Sequence, residues 1–187
     1  MRNLYDYPIG ENSPDEFNVI IEVPHGSNNK YEYNSEYDIF QLDRVLFSSV
    51  HYPGCYGFIP QTLGGDGDPL DVIVLAGEPF STGTVLKARP VGYLKMTDDK
   101  GQDEKILAVP VDDPRFNERH SLKDIRKHVL LEIEHFFQIY KDLVNKFVDI
   151  DKWYDLDETK KLIVESNNNY KKWTLVTLSN QGFEKTI

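Results

Sequence analysis

The chain has 187 residues, 40% apolar and 28% charged, enough for one domain with a buried core. Its net charge of −10, from 31 acids against 21 bases, argues against nucleic acid and anionic membranes as partners, because backbone binding needs a basic footprint. Cys55 is the only cysteine, which excludes an intrachain disulfide and a Cys-based zinc site.

No apolar run approaches a membrane span, and the first six residues hold no hydrophobic signal region, so a soluble cytoplasmic protein is expected. Residues 17–24 (Phe-Asn-Val-Ile-Ile-Glu-Val-Pro) read as a buried strand carrying one acid, Glu22. Lys30 and Glu32 stand two apart, as on a surface strand with alternating charges. Residues 39–47 read as a further strand, in which Asp43 is placed to pair with Arg44. Tyr52 and Tyr56 bracket the bend Pro53-Gly54-Cys55, which fits either aromatic packing or two phenols aimed at one point.

The next segment is the most informative. Gly64-Gly65-Asp66-Gly67-Asp68-Pro69-Leu70-Asp71 puts three carboxylates on a turn stiffened by proline, directly before the apolar strand 71–75. Alone it reads as a polar surface turn. It also suits a hard divalent cation such as Mg2+ or Ca2+, since clustered carboxylates repel unless a positive charge lies between them. Strands are also predicted at 84–95 and 104–109, joined by the Asp-rich hairpin turn 97–103. Lys105 follows Asp103 by two and shares its sheet face if the strand has begun there.

The period then changes. Leu122, Ile125, Val129, Ile133, Phe136, Tyr140, Leu143 and Phe147 recur every three or four residues, an amphipathic helical stripe. On it, Tyr140 reads as core and Lys141 as a solvated helix residue. A second helix is predicted over 157–170, with Leu162 and Val164 as its apolar positions. The apolar run 173–178 suits packing on this or a neighbouring subunit, or a partly ordered tail. Strands followed by helices predict one α+β domain over residues 1–187, with a closed or partly open barrel as the economical sheet.

Competing motifs fail. An EF-hand starting at Asp66 would need an oxygen ligand, glycine and glutamate where the chain has Leu70, Asp71 and Gly77. There is no Gly-Lys-Ser/Thr, no Gly-x-Ser-x-Gly and no His-Glu-x-x-His. His128 and His135 share a helix face at most, without a third ligand for zinc.

Taken together, the motifs resemble the soluble family I inorganic pyrophosphatases. The signature Asp-Gly-Asp-Pro-x-Asp followed by an aliphatic residue stands at 66–72. Around it, in the family's order, come Ile21-Glu22-Val23-Pro24, Lys30-Tyr31-Glu32, Tyr52-Pro53-x-x-Tyr56-Gly57-Phe58-Ile59, and Arg89-Pro90-Val91-Gly92 leading to Asp98. His135-Phe136-Phe137 before Tyr140-Lys141-Asp142-Leu143 completes a series covering about residues 15–148 and leaving 151–187 outside it.

The resemblance implies a five-stranded OB-like closed β-barrel flanked by helices, and Mg2+-dependent hydrolysis of pyrophosphate by in-line attack of a metal-activated water. It implies that Asp66, Asp71 and Asp103 hold the first Mg2+ and that Asp71 bridges to a second. Asp98 (with Asp99 as the alternative) and Glu32 help bind further metal, and Asp68 is the general base. Lys30, Arg44, Lys105, Tyr140 and Lys141 grip the phosphates, Tyr56 donates near the nucleophile, and Tyr52 and Glu22 support the site. The short chain resembles the prokaryotic form, which implies a homohexamer.

The charges agree with these roles. Seven acids against four bases leave three net negative charges in the set, and ionised pyrophosphate adds about four more. Neutrality then needs about three or four divalent cations. A non-catalytic cation-binding module would have no use for four bases among the acids. A hydrolase of organic diphosphates would want an apolar patch for the organic group, and none is assigned by the sequence.

Overall fold

The computed structural model describes residues 3–98, 101–144, 146 and 148–183. Asp99, the alternative ligand, and Phe147, the last position of the helical stripe, lie outside the described residues. The elements run β1 (Phe17–Val23), β2 (Asn29–Asn34), β3 (Ile39–Val45), β4 (Cys55–Phe58), β5 (Asp71–Val74), β6 (Val85–Asp98), β7 (Gly101–Pro110), α1 (Lys127–Ile139), β8 (Val148–Tyr154) and α2 (Leu156–Phe183). Six strands form one mixed sheet in the order β1-β4-β5-β7-β6-β8, and β1 also pairs with β6. β2 and β3 form a separate two-stranded sheet.

β-Branched runs such as Val72-Ile73-Val74 suit strands buried on both faces. Val72 and Val74 join Ile106 and Ala108 in a cluster completed by Ile163 of α2. Ile73 and Leu107 point the other way, into a cluster with Phe136 and Phe137 of α1. β4 lies so close to β1 that a Cβ on Gly57 would sit 2.0 Å from the Ile20 carbonyl oxygen. Only glycine fits that approach.

The predicted strands are present, with three additions. β2 is longer than its Lys-Tyr-Glu signal, and β4 and β8 were not foreseen. The helical stripe divides into a 3-10 turn at Leu122–Asp124, α1, and a 3-10 turn at Asp142–Val144. Tyr140 caps α1, so Lys141 lies beyond the helix rather than on its wet face. Leu143 is exposed, against the stripe's prediction. α2 runs on to Phe183 and buries Ile163 instead of Val164, which is exposed. Trp173, Leu175 and Val176 are exposed, so these three side chains do not pack into the core of this chain. No helix among the described residues is long and apolar enough to cross a membrane.

Candidate active site

Register in the main sheet assembles the chemistry. The parallel β5–β7 ladder sets Asp71 beside Lys105, and the alternation along β7 puts Asp103 on the same face. The Lys105 ammonium therefore lies between two carboxylates, in contact with Asp71 and 2.6 Å from Asp103. It also donates to the Tyr56 hydroxyl at 3.3 Å, and its side chain is 4% exposed. Burial lowers the Lys105 pKa, but Asp71 and Asp103 outweigh it and the net shift is upward, so the ammonium keeps its proton. Burial first, then Asp71, raises the Tyr56 phenol well above its ordinary value, so it stays a donor.

On the same floor, Asp98 at the end of β6 holds Lys141 at 2.6 Å. Glu22 of β1 is buried and accepts from the Tyr33 amide at 2.8 Å. Desolvation is the main cause that pushes its pKa up to about 8, opposed by that amide and reinforced by Asp71. On the two-stranded sheet, Lys30 stands opposite Arg44. Lys30 contacts Glu32 and lies 3.6 Å from Asp43, while Arg44 Nε donates to Asp43 at 2.6 Å. The pairing of Arg44 with its neighbour is thus real, yet both cations still line the cavity.

Asp66 and Asp68 are carried on a turn. Gly64 N–H donates to the Asp68 carbonyl at 2.8 Å, and Asp66 Oδ1 accepts from the Asp68 amide at 3.1 Å. Gly67 makes the turn possible with φ +92, a conformation closed to most side chains. Both acids are exposed at the cavity mouth.

All fourteen residues predicted from the sequence line one cavity of about 230 Å³: Glu22, Lys30, Glu32, Arg44, Tyr52, Tyr56, Asp66, Asp68, Asp71, Asp98, Asp103, Lys105, Tyr140 and Lys141. Tyr52 and Tyr56 pack against each other, with ring centroids 5.3 Å apart, and both line the cavity. Lys146 lines the cavity as well and was missed, hidden behind the helical reading of its surroundings. With it the lining holds seven carboxylates and five cations. His128 is elsewhere, 3.4 Å from Glu132 on the helix surface.

Among the described residues, no three acids, histidines or cysteines form a ready metal cage. The lining nevertheless fits hard divalent cations. Its anionic donors are all carboxylate oxygens, with no histidine or cysteine among them, and ammonium groups already stand against Asp71, Asp103 and Asp98 as positive charge.

Fold and site together define an α+β protein whose sheet carries a small, highly charged cavity able to hold an anion alongside cations. The inorganic pyrophosphatase family matches residues 19–171. The inorganic pyrophosphatase of Nostoc is 49% identical over 158 residues, covering 84% of this chain and 94% of its own. That of Methanosarcina mazei is 49% identical over 152 residues, covering 81% and 90%. The crystal structure of inorganic pyrophosphatase from Thermus thermophilus superposes with a TM-score of 0.89 at 41% identity, covering 91% of this chain and 99% of that one. The chain belongs to the inorganic pyrophosphatase family.

Proposed function

We propose that this protein hydrolyses inorganic pyrophosphate to two orthophosphates with Mg2+ as cofactor. The observation that carries the reading is the convergence of seven carboxylates and five cations on one cavity of about 230 Å³. That volume lies below the roughly 300–1,000 Å³ of pockets for organic ligands, which favours a small inorganic anion.

Asp66, Asp71 and Asp103 would hold the first Mg2+, Asp71 would bridge to a second, and Asp98 and Glu32 would help hold the others, about three or four in all with substrate present. Held by these residues, Mg2+ would offset the charge of the diphosphate and lower the pKa of the attacking water. Asp68 takes one proton from that water as its oxygen forms a bond to one phosphorus in line with the bridging oxygen. The bridging P–O bond breaks and its electron pair leaves with the second phosphate. Lys30, Arg44, Lys105, Tyr140 and Lys141 hold the phosphate oxygens and spread the developing charge, and Lys146 joins them. Tyr56, kept protonated by its surroundings, donates to a substrate oxygen, while Tyr52 and Glu22 support it from behind. The reaction is direct, without a covalent phosphoenzyme; among the described residues, no serine, cysteine or histidine lines the cavity.

The pairing of β1 with both β4 and β6 supports reading β1, β4, β5, β7 and β6 as a five-stranded OB-like closed barrel. The same reading takes residues 1–187 as one pyrophosphatase domain, cytoplasmic and homohexameric, and light scattering at six times the chain mass tests the assembly. The activity is tested by phosphate release from pyrophosphate and from a nucleoside triphosphate, each with Mg2+ and with chelator. Release from pyrophosphate alone, abolished by chelator, is expected. No Mg2+-dependent release from pyrophosphate overturns the reading.

A further inference from the structure

We propose that Thr62 and Asn167 are positioning residues that fix the turn bearing Asp66 and Asp68 by clamping its base. The proposal rests on the reading of Asp66 as a metal ligand and Asp68 as the base.

The two acids sit near the tip of a loop that leaves the sheet at Ile59 and returns at Leu70. At the neck, the Ile59 amide donates to the Leu70 carbonyl at 2.9 Å. Thr62, 1% exposed, closes the same neck from inside: its hydroxyl donates to the Ile59 carbonyl at 2.6 Å and accepts from the Leu70 amide at 2.9 Å. The adjoining backbone is strained, because Gln61 has φ +54 without being glycine. Such a conformation persists only where the surroundings over-determine it. Here they do. The Gln61 amide donates to the Tyr5 carbonyl at 2.8 Å, and the Gln61 carbonyl accepts from Asn167 Nδ2 at 2.6 Å. One residue on from Thr62, the Leu63 amide donates to the Ser166 carbonyl at 3.0 Å.

The C-terminal helix α2 thus grips the base of the loop through two consecutive residues, Ser166 and Asn167, both buried. Asn167 lies 106 positions from the residue it holds. The turn then starts at Gly64, directly after this clamp. A small rotation at Gln61 or Leu63 is carried to Asp66 and Asp68, where a misplacement of about 1 Å costs up to 100-fold in rate. Thr62 and Asn167 do not line the cavity, so their influence passes through the backbone they hold.

The test uses the full chain with Thr62→Val, Thr62→Ser and Asn167→Asp. Thr62→Val keeps the shape and removes both hydrogen bonds, Thr62→Ser keeps the hydroxyl, and Asn167→Asp keeps the shape but sets a carboxylate against the Gln61 carbonyl. Two readouts are taken besides thermal melting: Mg2+ affinity of the substrate-free protein by titration calorimetry, and kcat against KM for pyrophosphate. Thr62→Val and Asn167→Asp should weaken Mg2+ binding about 3- to 10-fold and lower kcat about 10- to 100-fold with KM within about 2-fold, and Thr62→Ser should restore both. If either variant fails to fold, the other decides. Lower melting temperatures with unchanged Mg2+ affinity and kcat would reduce the clamp to scaffold and overturn the proposal. Weakened Mg2+ binding in a protein whose wild type releases no phosphate would instead sink the pyrophosphatase reading and leave the positioning intact.

Discussion

On the cavity floor, Asp71 and Asp103 share Lys105 and Asp98 holds Lys141, whereas Asp66 and Asp68 stand exposed on a turn that contains three flexible glycines and a stiff proline. The floor is built on paired strands and its acids are half-buried or buried, so each charge must be met locally or its desolvation would be uncompensated. The turn is wet, and its acids are open to water and to exchanging ligands. One cavity therefore combines a rigid base, whose acids are partly offset by ammoniums, with an accessible pair of carboxylates. In the proposed mechanism, the proton acceptor for water is the second and the cradle for phosphate the first.

Removing the floor's central cation should have the largest effect. Lys105→Met keeps the apolar stem but leaves Asp71 and Asp103 facing each other without the ammonium between them. We expect unfolding free energy in chelator to fall by about 3–5 kcal/mol, the cost of breaking a buried pair. Added Mg2+ should recover part of it, and turnover should collapse. Denaturant melts with and without Mg2+ measure this. A variant as stable as wild type in chelator would erase the distinction between floor and turn.

The turn should behave in the opposite way. Asp68→Asn preserves shape at an exposed position, so stability should stay within about 0.5 kcal/mol. Turnover, by contrast, should fall on the order of 10²- to 10⁴-fold through loss of the base, with Mg2+ affinity nearly unchanged by calorimetry. Wild-type turnover in this variant would move the base role elsewhere.

The site was more legible in the sequence than the fold that holds it. Carboxylates, lysines and tyrosines announce their chemistry by type and order, so Asp66 to Asp71, Asp103 and Lys105 could be named before their register was known. The elements around them competed with other signals. β8 begins with the alternating Val148-Asp149-Ile150-Asp151, but the helical spacing from Leu122 ran straight up to it and its acids dimmed the strand pattern. β4 is four residues long and follows Pro-Gly, so it read as a bend. In α2 the choice of Ile163 over Val164 as the buried position depends on where the helix meets the sheet cluster, which spacing alone does not determine. Thr62 and Asn167 gave no signal at all, because a small polar residue acquires its role only from a partner that the fold brings to it.

The last effect shows only as pH changes, and it concerns the floor acid that no lysine contacts among the described residues. Among the described residues, the Glu22 carboxyl accepts from the Tyr33 amide, and burial, helped by Asp71, raises its pKa to about 8. The folded protein therefore binds a proton that the unfolded chain, with an ordinary value near 4.5, releases earlier. The sign follows from linkage: the stability tied to this proton is complete below pH 4.5 and is lost as pH rises through about 8. Inside that window the slope approaches about 1.4 kcal/mol per pH unit at most. Glu22→Gln keeps an oxygen for the Tyr33 amide and cannot ionise, so its stability in chelator should lose this pH dependence and exceed wild type near pH 8. Melts at half-unit steps from pH 4.5 to 8.5 decide it. An undiminished slope in the variant would mean that Glu22 is ionised in the fold, and that the floor neutralises its acids with lysines alone rather than with lysines and a proton.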